Sequence, residues 1–102
     1  MDTQVKLVMT WDIRPGQEKH YFTFITQEFP NALDEAGFQL TDAWYTVYGD
    51  WPQVSMGFLG DDLSTLQAFL VSESWLELKQ RLLSYTERFT QKIIKARGGF
   101  QL

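Results

Sequence analysis

Three side chains have the chemistry to move a proton: Asp12, Asp42 and the sole histidine, His20. An imidazole titrates near 6.5, so His20 can serve as a general base at neutral pH. A carboxyl becomes a useful base there only when apolar burial raises its pKa. Aromatic residues crowd the stretch DAWYTVYGDWPQV, residues 42 to 54, in which Trp44, Tyr45, Tyr48 and Trp51 fall within eight positions. Trp44 and Tyr48 carry polar tips that can orient a partly apolar ligand. Trp11, Phe24 and Trp75 join them as candidate ligand contacts.

Each candidate also has an ordinary reading. His20 fits the flank of a helix, Asp12 can pair with Lys6 or Arg14, and Asp42 can cap a strand end at the rim. Tyr45 suits a core and Trp51 a turn tip. Trp44 and Tyr48 are equally suited to packing between subunits.

Other chemistries are excluded by residue type. The absence of cysteine removes disulfides, iron–sulfur clusters and thiol nucleophiles. One histidine cannot by itself make a zinc site, which takes three or four protein ligands. No G-x-G pair and no G-x-S-x-G are present, so dinucleotide, P-loop and hydrolase-elbow fingerprints are missing. Metal and cofactor are therefore both expected to be none.

Nine basic against thirteen acidic residues give a net charge of −4, which repels phosphate backbones and anionic membranes. Nucleic acid and membrane are not expected partners. Lys92, Lys95 and Arg97 form the one basic cluster, placed where a helix C-terminus would favour positive charge. The start, MDTQVKLVMTW, lacks the basic and apolar runs of a secretion signal, and no apolar stretch nears the roughly 20 residues of a membrane span. A soluble cytoplasmic protein is the expectation.

The elements that must position these residues follow from periodicity. Val5, Leu7, Met9, Trp11 and Ile13 alternate with mostly polar neighbours, predicting a half-buried strand that Arg14-Pro15-Gly16 ends. From Gln17 the period becomes helical, with Phe22, Ile25, Phe29, Leu33 and Ala36 on one face. Pro30 predicts a kink or a short break near Phe29, and Gly37 a C-cap. Tyr21 and Phe24 widen the apolar arc and hint at a second contact surface.

Phe38 to Leu59 reads as a hairpin turning at Gly49-Asp50-Trp51-Pro52. Pairing Tyr48 with Gln53 would set Val47 opposite Val54, Tyr45 opposite Met56 and Ala43 opposite Phe58, an apolar surface able to meet the helix. The other surface would carry Asp42, Trp44, Thr46 and Tyr48, with Trp44 across from Gly57. A helix from Leu63 to Val71 capped by Asp61 or Asp62 comes next. Ser72 then caps a second, for which Trp75, Leu78, Leu82, Tyr85, Phe89, Ile93 and Ala96 predict a run from Glu73 to Arg97, stopped by Gly98-Gly99. A fourth strand over Arg88 to Ala96 is the alternative.

The order predicts one α+β domain over residues 1 to 102, with helices on one face of an antiparallel sheet. The other face would mix Val8, Trp44 and Tyr48 with Thr10, Asp12, Asp42, Thr46 and Ser55. It is too aromatic for water and too polar for a plain core, so two copies stacked sheet to sheet are expected, enclosing a cavity.

The segments WDIRPGQEKHYFTFI, EAGFQLTDAWYTVYG and SESWLELKQRLL resemble, across roughly residues 5 to 85, the dimeric α+β barrel proteins of ferredoxin-like fold. That group includes the antibiotic-biosynthesis monooxygenase and NIPSNAP families. The resemblance implies a dimer whose sheets form a barrel, with a pocket between sheet and helices. It implies activities from cofactor-independent oxygenation and haem handling to none known. Haem-binding members use a histidine on the helix after the third strand, where this chain has Phe69, Leu70 and Trp75. The tail from Thr86 to Leu102 departs from the group's terminal strand. The functional expectation is a homodimer binding a small, partly apolar or aromatic molecule, as a monooxygenase-like enzyme or as a non-catalytic interaction module.

Overall fold

The computed structural model describes residues 3–47, 49–50 and 52–96. Strand β1 (Val5–Ile13) leads to helices α1 (Glu18–Gln27) and α2 (Phe29–Glu35). Strands β2 (Gln39–Tyr45) and β3 (Val54–Gly60) follow, then α3 (Leu63–Leu70), α4 (Glu73–Ser84) and β4 (Thr86–Lys95). The strands make one antiparallel sheet in the order β2-β3-β1-β4.

Strand β1 is central because its alternation serves the core: Val5, Leu7, Met9, Trp11 and Ile13 are all buried. Val54, Met56 and Phe58 extend the same face on β3. Ring contacts carry it into the helices. Phe29 meets Phe58 at 5.9 Å and Trp75 at 6.2 Å, and Trp11 stacks on Phe89 at 6.2 Å. The indole of Trp11 donates to the Tyr21 hydroxyl at 3.0 Å, so its one polar atom is not stranded in the core.

Local signals set the boundaries. The helical run breaks at Glu28, as Pro30 leads one to expect, and the proline sits in the first turn of α2, where its missing N–H is unused. Gly37, at φ 97°, closes α2: its amide donates to the Asp34 carbonyl and that of Phe38 to the Leu33 carbonyl. Asp62 and Ser72 cap α3 and α4 by accepting from the amides of Thr65 and Trp75.

Five expectations are corrected. The predicted helix from Glu73 to Arg97 ends at Ser84, and the chain continues as β4, the strand weighed as the alternative. A spacing of four, as from Phe89 to Ile93, satisfies a helix and a strand alike, and a bulge at Arg88 hides the alternation. The terminal strand is thus present after all. Gly98, Gly99 and Arg97 lie outside the described residues.

The β2–β3 register is offset by two: Tyr45 faces Val54 and Ala43 faces Met56, while Trp44 faces Ser55 rather than Gly57. The predicted tight turn is a longer loop, closed by the Thr46 amide on the Gln53 carbonyl. On the helical face, Tyr21, Phe24 and Ile25 are buried while Phe22 is exposed, because the break at Glu28 resets the helical phase before Phe29. Finally, no helix covers β2, so Leu40, Ala43 and Tyr45 share the core's side of the sheet yet stay exposed.

Candidate functional site

With the helices on one side, the other face of the sheet is open. Its residues form rows across the strands. Trp44, Ser55, Thr10 and Thr90 make one row, and Asp42, Gly57, Val8 and Lys92 the next. Leu59, Lys6 and Ile94 follow in that direction, and Asp12 with Glu87 lies at the opposite end. Trp44 is 68% exposed at the edge of this face, and Ile94 is exposed too.

Ion pairs cross this mixed surface, two of them at the candidate aspartates. Lys6 Nζ lies 2.7 Å from Asp42 Oδ1, across the space left by Gly57. Asp12 accepts the Gln53 amide at 2.9 Å on Oδ1 and the Arg88 Nε at 2.6 Å on Oδ2, which also meets Nη2 of the same guanidinium. Gln53 returns a bond, its side-chain Oε1 accepting the Ile13 amide at 2.7 Å. Asp12 thereby ties β1, β4 and the β2–β3 loop together.

These partners decide the electrostatics. The Gln53 amide, aided by the Arg88 guanidinium, holds the Asp12 carboxyl below the usual carboxylate range against partial burial. The Lys6 ammonium, aided by the Thr41 hydroxyl, does the same for Asp42. Both shifts run opposite to the rise that a general base would need.

The candidate catalytic residues do not converge. Asp12 and Asp42 share the open face, but they are separated by roughly 13 Å along the strands and about 10 Å across them. His20 is exposed on α1, on the far side of the sheet, with its ring 6.4 Å from Tyr85. Trp11, Phe24 and Trp75 are at most 1% exposed and pack within the core of the single chain. Trp44 is the ligand candidate that reaches the open face, while Tyr48 and Trp51 lie outside the described residues.

A cleft of about 200 Å³ opens at the Asp12 end, lined by Thr10, Asp12, Asp50, Pro52, Arg88 and Thr90. Arg88 was not readable as a site residue. Its place depends on a bulge that sequence periodicity does not reveal, in a segment whose spacing mimics a helix. Among the described residues no group of three or more histidine, cysteine or acidic side chains could hold a metal ion. No helix among them is long and apolar enough to cross a membrane.

No protein-family model matches the sequence, and no curated protein sequence matches it. Solved structures do match in shape. A NIPSNAP family protein from Agrobacterium tumefaciens aligns over 96% of this chain and 90% of its own, with TM-score 0.69 and 16% identity. A dimeric protein of unknown function and ferredoxin-like fold from Bacteroides fragilis covers 91% and 96%, at TM-score 0.66 and 12% identity. A candidate antibiotic biosynthesis monooxygenase from Nitrosomonas europaea covers 94% and 92%, at TM-score 0.68 and 9% identity. The chain therefore has the ferredoxin-like α+β fold of these proteins.

Proposed function

We propose that the chain works as a homodimer whose open sheet faces stack, forming a barrel that encloses a binding chamber for a small, partly apolar or aromatic molecule. The carrying observation is the open face itself. An indole 68% exposed stands on a strand edge of the face that also carries Val8, Leu59 and Ile94, and four of that face's charges are already matched as Lys6–Asp42 and Asp12–Arg88 pairs. Pre-paired charges cost less to desolvate than lone ones, and apolar area repays burial at about 25 cal/mol per Å². A matching protein from Bacteroides fragilis is dimeric, which supports the same assembly here.

Binding fits this geometry better than proton transfer, because the two aspartates are ion-paired and His20 lies on the other side of the sheet. Cofactor-independent oxidation is the second reading, favoured by the likeness to the Nitrosomonas europaea protein and by a chamber that needs no internal base to hold an aromatic substrate. Titrating the protein with a panel of aromatic compounds while following tryptophan emission tests the first reading. Saturable quenching that Trp44→Phe abolishes is expected. Indifference of the emission to the whole panel would leave only subunit packing for these rings.

A further inference from the structure

Charge on the open face is divided by position. The row Asp42, Gly57, Val8, Lys92 has its carboxylate on β2 at one edge and its unmatched ammonium on β4 at the other, three strand spacings or about 14 Å away. Lys6 Nζ and the Thr41 hydroxyl both sit on Oδ1 of Asp42. A carboxylate has about four lone-pair sites, so Asp42 has room for a second cation. Lys92 is exposed and makes no ion pair among the described residues. Stacking this face on another surface buries a lone ammonium unless that surface brings a carboxylate to it.

Two-fold symmetry decides which carboxylate can reach it. When two copies stack face to face the axis lies between the sheets, and in an aligned packing it runs either along the strands or across them. An axis along the strands, below the middle of the sheet, exchanges the edges and keeps every row level, so β2 of one copy lies over β4 of the other and β3 over β1. Each row then meets its own copy reversed, and Asp42 faces the partner's Lys92. Sizes agree as well, since Trp44 faces the partner's Thr90 and Gly57 faces the partner's Val8. Stacked sheets lie about 10 Å apart, a gap that a long lysine and a short aspartate span together. The roughly 30° between them shifts facing edge residues by about 4 Å, within the swing of the same flexible stem. An axis across the strands instead lays β4 on β4, whose one acid, Glu87, already faces Arg14 at 3.8 Å.

We propose that a second copy sits on the open face in this reversed register, Lys92 of each subunit joining the Lys6–Asp42 pair of the other. The inference rests on the homodimer reading above and deepens it by fixing which residues meet. It also makes each end of the chamber composite. The Trp44 ring and the Thr10–Thr90 hydroxyls across from it come from different chains.

The test is sedimentation equilibrium of charge-altered full chains at low salt, each checked for folding by circular dichroism. Lys92→Glu sets like charges face to face and should weaken self-association by about tenfold or more. The double variant Lys6→Asp with Asp42→Lys keeps a matched pair inside the chain, opposes it to the partner's Lys92, and should weaken self-association too. Mixed in equal amounts, these two chains should form a heterodimer tighter than either homodimer, because every facing pair is then opposite in sign. A milder, isosteric change guards against misfolding: in an Asp42→Asn background, where Lys6 stands alone, Lys92→Glu should tighten the dimer instead of loosening it. Self-association of Lys92→Glu equal to wild type, a mixture no tighter than its components, or loosening by Lys92→Glu in the Asp42→Asn background overturns the register. The same runs separate the two readings: a wild-type dimer indifferent to these changes refutes the register alone, whereas a wild-type monomer refutes the stacked assembly.

Discussion

Gly57 is where the open face has no room for a side chain. A Cβ there would come within 2.6 Å of both Asp42 Oδ1 and Lys6 Cε. Those are the far ends of flexible side chains, so Gly57→Ala should displace the ion pair rather than the strand. The expected change in stability is within about 1 kcal/mol, as for exposed pairs generally. The clearer sign is an Asp42 midpoint, followed by NMR, that rises toward the ordinary value of about 3.9. Gly60 provides the contrast. Its Cβ would meet the buried Phe38 ring at 2.7 Å, so Gly60→Ala should cost about 1–3 kcal/mol in chemical denaturation. Asp12 and Asp42 also give stability a pH dependence. Their carboxyls titrate lower in the folded chain than in the unfolded one, so the unfolded chain binds protons first as acid is added. The contribution is complete above the unfolded value of about 3.9 and is lost as pH falls through the folded values. Urea midpoints should therefore decline below about pH 4, and less steeply in Asp12→Asn. That variant should lose about 1–2 kcal/mol at neutral pH, having given up a charge-assisted bond to Arg88.

Among the elements, β1 carries the most. It is hydrogen-bonded on both edges and every second side chain is buried, whereas β2 is paired on one edge and has no helix above it. Hydrogen exchange should accordingly find the slowest amides in β1 and the fastest strand amides in β2. Uniform protection across the sheet would contradict this ordering. The same contrast explains what could be read from residue order. β1 was legible because strict alternation over nine residues has one interpretation. The break at Pro30 and the caps at Asp62 and Ser72 were legible because each follows from local chemistry. β4 was not, since its identity depends on pairing with β1, a partner some 80 residues away. The hairpin register failed for a related reason: an eight-residue loop leaves it to be set by packing of Val54 and Met56 into the core. At the site, the face shared by Asp12, Asp42 and Trp44 was foreseen from parity alone. Their ion-pair partners Arg88 and Lys6 depend on neighbouring strands, and those partners reverse the expected electrostatics.

At the scale of the whole molecule, helices cover one side of the sheet except along β2, and the other side is bare. A sheet with a single covered face normally turns a polar surface to water. Here the bare face offers Trp44, Val8, Leu59 and Ile94 with the Lys6–Asp42 and Asp12–Arg88 pairs and an exposed Lys92, a mixture suited to a self-complementary contact in which one patch meets its own copy. A charge introduced at Trp44 would be buried unpaired in that contact, a cost of several kcal/mol that a standard-sized interface does not absorb. Trp44→Asp should thus separate the subunits while leaving each folded, because that side chain touches none of the core. Sedimentation equilibrium at micromolar concentration is the most direct measurement. The wild-type chain is predicted to sediment at twice its own mass and Trp44→Asp at once; a wild-type monomer, or a dimer unaffected by Trp44→Asp, would contradict the stacked-sheet assembly.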